Sequence, residues 1–208
     1  MDHHITSIAI AAALAWASGI RLYTVLFLVG LAGQFHWFGW QNPQSLAILS
    51  HPLVLGASGL LLFVEFFADK IPGFDSLWDA VHTFIRIPAG ALLAAGAIGT
   101  ADGEAWALAA GLIGGTITAG THFTKAGGRV AINHSPEPVS NWIASFSEDA
   151  IVLGGLWLAV QHPVIFLALL ALFILVMIWL IPKLYRVLLA IWRRIAEWVA
   201  PNPSASVS

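Results

Sequence analysis

Charged residues recur on this chain at helical spacings, inside segments that are otherwise apolar. Glu65 and Asp69 stand one turn apart. Asp79, His82 and Arg86 are spaced i, i+3, i+7, and His122, Lys125 and Arg129 repeat that spacing, so each set lies along one helix face. Glu148 and Asp149 are adjacent and point about 100° apart on a helix. Paired carboxylates suit a hard cation or a proton relay. An imidazole such as that of His82 titrates near neutral pH. The face of His122, Lys125 and Arg129, extended by Thr118 and Thr121, suits a carboxylate or phosphate group. Each set also has a structural reading. A charge at membrane depth costs about 2.5–3.5 kcal/mol on insertion scales, so it calls for a partner whatever its role. Asp69 with Lys70 reads first as an interfacial pair. The dipole of a helix N-terminus would by itself favour Glu148 and Asp149.

The balance of signs bears on that choice. Arg21, Lys70, Arg86, Lys125 and Arg129 stand against Glu65, Asp69, Asp75, Asp79, Glu148 and Asp149. Near neutrality predicts a paired polar network rather than a carboxylate cage for a divalent ion. Other chemistries are poorly represented. The chain has no Cys, no phosphate-binding Gly-x-x-x-x-Gly-Lys, no Gly-x-Ser-x-Gly and no His-Glu-x-x-His. His3-His4 is only a weak hint of metal. No cofactor is implied, and no basic block suggests nucleic acid.

The elements that must position these groups are membrane helices. Only 10% of the 208 residues are charged and 59% are hydrophobic, against about 25% charged in a soluble domain. Six spans are predicted: Ile8 to Gln34, interrupted near Ser18-Gly19-Ile20-Arg21; Pro52 to Ala68; a third apolar from Ile87 to Gly99; Ala105 to about Thr121; a fifth apolar from Ala150 to Val160; and Pro163 to Ile181. The third and fifth apolar runs are too short for the roughly 20 residues a span needs, so their helices should start earlier, near Ser76 and Ser140. Small residues from Gly111 to Gly120 predict close helix packing.

Lys and Arg fall in the second-to-third and fourth-to-fifth connections and after the sixth span, while the other connections have none. The positive-inside rule then puts both termini in the cytoplasm, with Arg21 the one exception. The expected architecture is all-α: a polytopic six-helix transmembrane domain over 1–182, a basic amphipathic helix over 183–200 on anionic inner-leaflet lipid, and a disordered tail over 201–208.

Residues 69–90 align without gaps to 133–154, matching Pro72/Pro136, Ser76/Ser140, Trp78/Trp142, Ala80/Ala144 and Gly90/Gly154. Ser50-His51-Pro52 is echoed by Gln161-His162-Pro163. Such duplication is common in small transporters. The segments Ser18-Gly19-Ile20-Arg21, Glu65 to Pro72, Asp79 to Arg86, His122 to Arg129 and Ser147-Glu148-Asp149 together resemble the bacterial domain-of-unknown-function family 4126, over roughly 15–185. That resemblance implies a bacterial inner-membrane protein and brings no activity. Glu65 to Lys70 is also similar to the Glu-x-Gly-Asp-Lys signature of small cation/proton exchangers, with Ala68 in place of their Gly.

The function expected on this basis is a small permease or secondary transporter, with a proton-coupled form included. Its partners would be the bilayer and a small solute or proton. A carboxylate, Glu65 or Glu148, would take up the proton, and Arg86 or Lys125 would engage an anionic or zwitterionic solute. The alternatives are a non-catalytic scaffold whose charges are structural pairs and, further off, an intramembrane enzyme on lipid-linked substrates.

Overall fold

In a computed structural model, the chain is described over residues 2–37, 44–99, 103–133 and 138–199. Among the described residues it is helical throughout: α1 (Asp2–Phe35), a 3-10 helix (Gln44–Ser50), α2 (Pro52–Ala68), α3 (Phe74–Ile98), α4 (Glu104–Ile132), α5 (Pro138–Gln161) and α6 (Pro163–Val199). The early starts expected for the third and fifth helices are present, at Phe74 and Pro138. The fourth runs past Thr121 to Ile132 and carries His122, Lys125 and Arg129 within it. His51 caps α2, its Nδ1 accepting from the Leu53 amide at 3.3 Å, and Pro52 and Pro163 each open a helix.

The largest departure from expectation is α1. Its backbone leaves the helical region at Arg21 (φ −141°, ψ 76°). Helix kinks gather at Gly/Ser pairs, and Ser18-Gly19 supplies one, with Ser18 Oγ bonded back to the Leu14 carbonyl at 2.6 Å. The kink reverses the chain. Ile10, Ala13 and Leu14 line the same cavity as Val29 and Ala32, although in a straight helix Ile10 and Ala32 would lie about 33 Å apart. The first arm (2–20) runs alongside α4: Ile8 lies near Trp106, Thr118 Oγ1 donates to the Ala15 carbonyl at 2.8 Å, and Lys125 Nζ donates to the Ile20 carbonyl at 3.1 Å. The second arm (22–35) returns alongside α2: Phe27 lies over Gly59 and Ser50 Oγ donates to the Gly30 carbonyl at 3.0 Å.

Both ends of α1 therefore lie at one end of the bundle, with Arg21 at the other. The interruption expected near Ser18-Gly19-Ile20-Arg21 is present, and it turns the first span back on itself. Residues 8–12 stand at the end where α3 finishes and α4 begins, and Tyr185 of α6 stands at the end where α3 begins and α4 finishes. We call the latter the polar end and the former the apolar end.

Four described helices are long and apolar enough to cross a membrane: His4–Phe35, Phe74–Ile98, Val139–Gln161 and Pro163–Lys183. The 3-10 helix and α2, bent by 68°, would make a fifth. The expected six are therefore not all met by composition. The Gly, Thr and cationic residues of α4 keep it off that list, although its 29 residues would extend about 43 Å. Helix α6 continues through Pro182 without a break. Most of the apolar side chains expected on its basic extension (Leu184, Val187, Leu188, Ile191, Ile195, Trp198), and the whole of the 201–208 tail, lie outside the described residues.

The duplication gains a structural counterpart. Helices α2 and α4 end at Ala68 and Ile132, and α3 and α5 begin at Phe74 and Pro138, so both boundaries are separated by the same 64 positions. The residues capping α2 and α4 are Asp69 and Asn133, with nearly identical backbone angles (φ −69°, ψ −9° and φ −69°, ψ −8°).

Candidate functional site, a buried charge network

The elbow of α1, the C-terminal turns of α2 and α4 and the N-terminal halves of α3 and α5 converge at the polar end. Arg21 is 1% exposed and sits at the centre. Its Nη1 donates to Asp69 Oδ2 at 2.6 Å, its Nη2 to Ser145 Oγ at 2.7 Å and the Ser145 carbonyl at 3.0 Å, and its Nε lies 2.9 Å from Asp149 Oδ1. Lys125 Nζ reaches the same Asp69 oxygen at 2.8 Å, and its bond to the Ile20 carbonyl closes the last turn of the first arm, whose acceptors the elbow would otherwise leave open. Asp69 thus holds the elbow to α4.

Arg129 pairs with Glu148, its Nε donating to Oε1 at 3.0 Å and its Nη2 lying 2.9 Å from Oε2 without a hydrogen-bonding angle. Its Nη1 donates to the Asp69 carbonyl at 3.0 Å and the Asn141 carbonyl at 3.2 Å. One residue of α4 therefore ties the end of α2 to the start of α5.

A second group sits on α3. Arg86, wholly buried, bonds Glu65 Oε1 at 2.6 Å and Asp79 Oδ1 at 2.9 Å. Its Nη1 also lies 3.3 Å from His122 Nδ1. Because a guanidinium only donates, Nδ1 accepts and the ring proton sits on Nε2, 2.7 Å from Thr83 Oγ1. Thr83 in turn donates to the Asp79 carbonyl at 2.9 Å. Lys125, 3.5 Å from both Asp79 Oδ1 and Glu148 Oε2, links the two groups.

Ten of the twelve residues singled out by spacing thus share one network or its direct hydrogen bonds. His82 and Lys70 are placed differently. His82 Nδ1 bonds the Trp78 carbonyl at 2.8 Å, and the ring stacks on Trp78 with Tyr23 edge-on. Among the described residues Lys70 Nζ has no carboxylate within 4.0 Å. It bonds the Phe66 carbonyl at 3.0 Å and Ser145 Oγ at 3.2 Å, beneath the rings of Phe66 and Phe146. Glu148 and Asp149 both pair with cations, Glu148 with Arg129 and Asp149 with Arg21.

Sequence spacing missed a bridge of two asparagines and an aspartate beside the network. Asp75 Oδ1 accepts from Asn133 Nδ2 at 2.8 Å, and Asn133 Oδ1 accepts from Asn141 Nδ2 at 2.8 Å, joining the start of α3, the end of α4 and the start of α5. The repeat held the signal, since Asn133 occupies the position equivalent to Asp69. Thr83 carried no such signal.

Access to the network is uneven. Arg21, Glu65, Asp69, Asp79 and Arg86 are each at most 1% exposed, whereas Glu148 is 18% and Asp149 26% exposed. A cavity of about 200 Å³ reaches Lys125, Arg129 and Glu148 on one side of α4. A larger one, about 430 Å³, reaches Thr83 and His122 on the other. Among the described residues no three His, Asp or Glu side chains gather as a metal site.

The model of a domain of unknown function (DUF4126) matches residues 8–183, and the chain belongs to that family. Neither the curated proteins nor the solved structures contain a match.

Proposed function

We propose that this DUF4126 chain is a small proton-coupled secondary transporter of an anionic or zwitterionic solute, embedded in the bacterial inner membrane. Helices α2 to α6 make five crossings, and α1 is a re-entrant hairpin that enters and leaves from the far side. Under the positive-inside rule the polar end faces the cytoplasm, together with Lys183, Arg186, Arg193 and Arg194, which meet anionic headgroups there. The N-terminus is then external. Arg21, the one basic residue that a straight first span left unexplained, now lies on the same side as the others.

The observation that carries this reading is the broken helix. Secondary transporters place solute and coupling ion where a discontinuous helix meets charged groups. Here the break in α1 holds Arg21 against carboxylates from α2 and α5. Glu148 is one of two accessible members and lines the cavity, and it occupies both Lys125 and Arg129. A proton on Glu148 removes that occupation, so that the Arg129 guanidinium and the Lys125 ammonium, the latter still held by Asp69, can take the carboxylate or phosphate of a solute in the 200 Å³ cavity. Loss of the proton returns Glu148 to the cations and expels the solute. The exchange biases two pairings of one network, and so two packings of the bundle. Apart from the O–H bond of the transferred proton, no covalent bond is made or broken.

Uptake of a panel of carboxylates and phosphates into proteoliposomes under a pH gradient tests the reading. Wild-type uptake should follow the gradient, and Glu148→Gln should lower gradient-driven uptake about tenfold or more, equivalent to about 1.4 kcal/mol. Wild type, Glu148→Gln and Glu65→Gln behaving alike across the panel would sink it.

A second reading, a scaffold whose charges are structural locks, draws support from the short, direct contacts of Arg86 with Glu65 and Asp79. It predicts no flux, and recovery of abundance when Glu65 and Arg86 are exchanged for one another.

A further inference from the structure

The cavity of about 200 Å³ beside α4 has a charged end and an apolar body. Thr121, Thr124, Lys125, Gly128 and Ile132 line it from one face of α4, at i, i+3, i+4, i+7 and i+11. Lys125 and Arg129 supply the charged end, with Glu148 of α5 against them. Ile20, Ile132 and Phe173 supply the apolar part, and the Phe173 ring stands edge-on to Trp16 at 6.3 Å. The donors at the charged end are few and already oriented. Arg129 is 1% exposed, and its Nη1 is engaged by the Asp69 and Asn141 carbonyls. That leaves the edge formed by Nε and Nη2. Nε donates to Glu148, and among the described residues Nη2 has no hydrogen-bond acceptor. Lys125 Nζ, with three donors, places two on Asp69 and the Ile20 carbonyl. The Thr121 and Thr124 hydroxyls donate to the Ile117 and Gly120 carbonyls of their own helix.

We propose that the solute of this cavity is a small monocarboxylate with a compact apolar body, bound together with one proton on Glu148; this rests on the transport reading above. The donors select the head group. The Nε and Nη2 edge of a guanidinium matches the two oxygens of a carboxylate, and Lys125 adds one donor more. A phosphate or a sugar would set further polar groups against Ile20, Ile132 and Phe173, where nothing pairs with them. Charge selects the valence. A proton on Glu148 adds one positive charge to the network, and one anionic charge restores the balance. A dianion would leave one buried charge uncompensated, which is costly. An amino acid would bring an ammonium as well, but Glu148 is neutral in that state and Asp69 is held by Arg21 and Lys125. Volume selects the body. An apolar cavity of about 150 Å³ holds benzene, so 200 Å³ suits one ring or a short branched chain with its carboxylate. Proton and anion bind as a neutral pair.

Calorimetric titration of the full chain in nanodiscs, with empty nanodiscs subtracted, tests this with benzoate as the probe. Phenylalanine (the same ring on a zwitterion), succinate and inorganic phosphate are titrated beside it. Benzoate should bind about tenfold or more tighter than each of them. Repeating the titration in buffers of different ionisation enthalpy counts protons. Wild type should take up about one proton per benzoate, and Glu148→Gln should bind benzoate with no proton uptake. A Cβ at Gly128 would meet nothing within 4 Å, so Gly128→Leu fills the cavity from the α4 face without displacing a neighbour. It should keep the wild-type unfolding temperature and lose benzoate binding. The proposal is overturned by absence of benzoate binding, by preference for any of the other three, by equal proton uptake in wild type and Glu148→Gln, or by unchanged binding in Gly128→Leu. Laurate, a chain too long for the cavity, binding more tightly than benzoate would point to a membrane fatty acid and overturn the compact body. The transport reading fails separately, when benzoate binds with its proton but no solute crosses in proteoliposomes. Gradient-driven uptake of phosphate in preference to benzoate would leave transport standing and remove this inference.

Discussion

The two ends of this bundle are held together by different means. At the apolar end the helices meet through small residues. Gly96 faces Leu46, Gly114 faces Ala94 and Ala15, and Gly30 lies directly against the Leu49 carbonyl. The polar contacts there include single hydroxyls on backbone carbonyls, such as Ser45 Oγ to the Gly96 carbonyl at 2.6 Å. At the polar end five elements meet through charges, and nearly every guanidinium serves two or more partners. The contrast shows how register is set. Close packing of small residues brings helices together, but a shifted pair of apolar faces can repack at modest cost. A buried cation moved away from its carboxylates is left unpaired, which is far more costly. The apolar end supplies proximity, and the polar end selects one arrangement.

The sharpest way to break this comparison is topological, because it fails unless the elbow carries Arg21 to the polar end. Single cysteines at His4 and Ser45 should label from the same side of sealed vesicles, and one at Lys183 from the other. His4 labelling together with Lys183 would restore a single crossing for α1 and remove Arg21 from the network. The next effect concerns stability. Arg86→Gln leaves Glu65 and Asp79 without their guanidinium and should cost about 3–5 kcal/mol, read as thermal unfolding in detergent. Adding Glu65→Gln should recover part of that loss, and no recovery would mean the pair does not act as a unit. The smallest effect separates packing from charge. A Cβ at Gly19 would lie 2.6 Å from the Thr118 carbonyl, where the first arm of α1 crosses α4. Gly19→Ala should therefore cost about 1–3 kcal/mol. Gly56→Ala, with nothing within 4 Å, should be neutral or slightly stabilising, since Ala is the better helix former.

Much of the site was legible before the fold. The i, i+3, i+7 faces of α3 and α4 predicted side chains on one side of each helix, and near-equal numbers of acids and bases predicted pairing. The 64-residue repeat was visible as five identities, and its helix boundaries recur in register. The partners were less legible. Glu65 and Asp69, one turn apart, serve different cations because α2 ends between α3 and the elbow. His82 shares a face with Asp79 and Arg86, yet its ring turns to Trp78. Asn133, Asn141 and Thr83 escaped notice because an uncharged polar residue in a helix carries little pattern of its own.

What the sequence determined by itself is the material: helices from apolar runs, a kink-prone Ser18-Gly19 before Arg21, and sets of charges at helical spacing that call for partners. What only the tertiary structure decided is the direction in which α1 leaves that kink. A helix can continue past a single non-helical residue in many directions, and local sequence scarcely distinguishes them. The contacts of the first arm with α4 and of the second with α2 choose the reversal. With it, Arg21 becomes the residue around which the charges of four other helices are arranged.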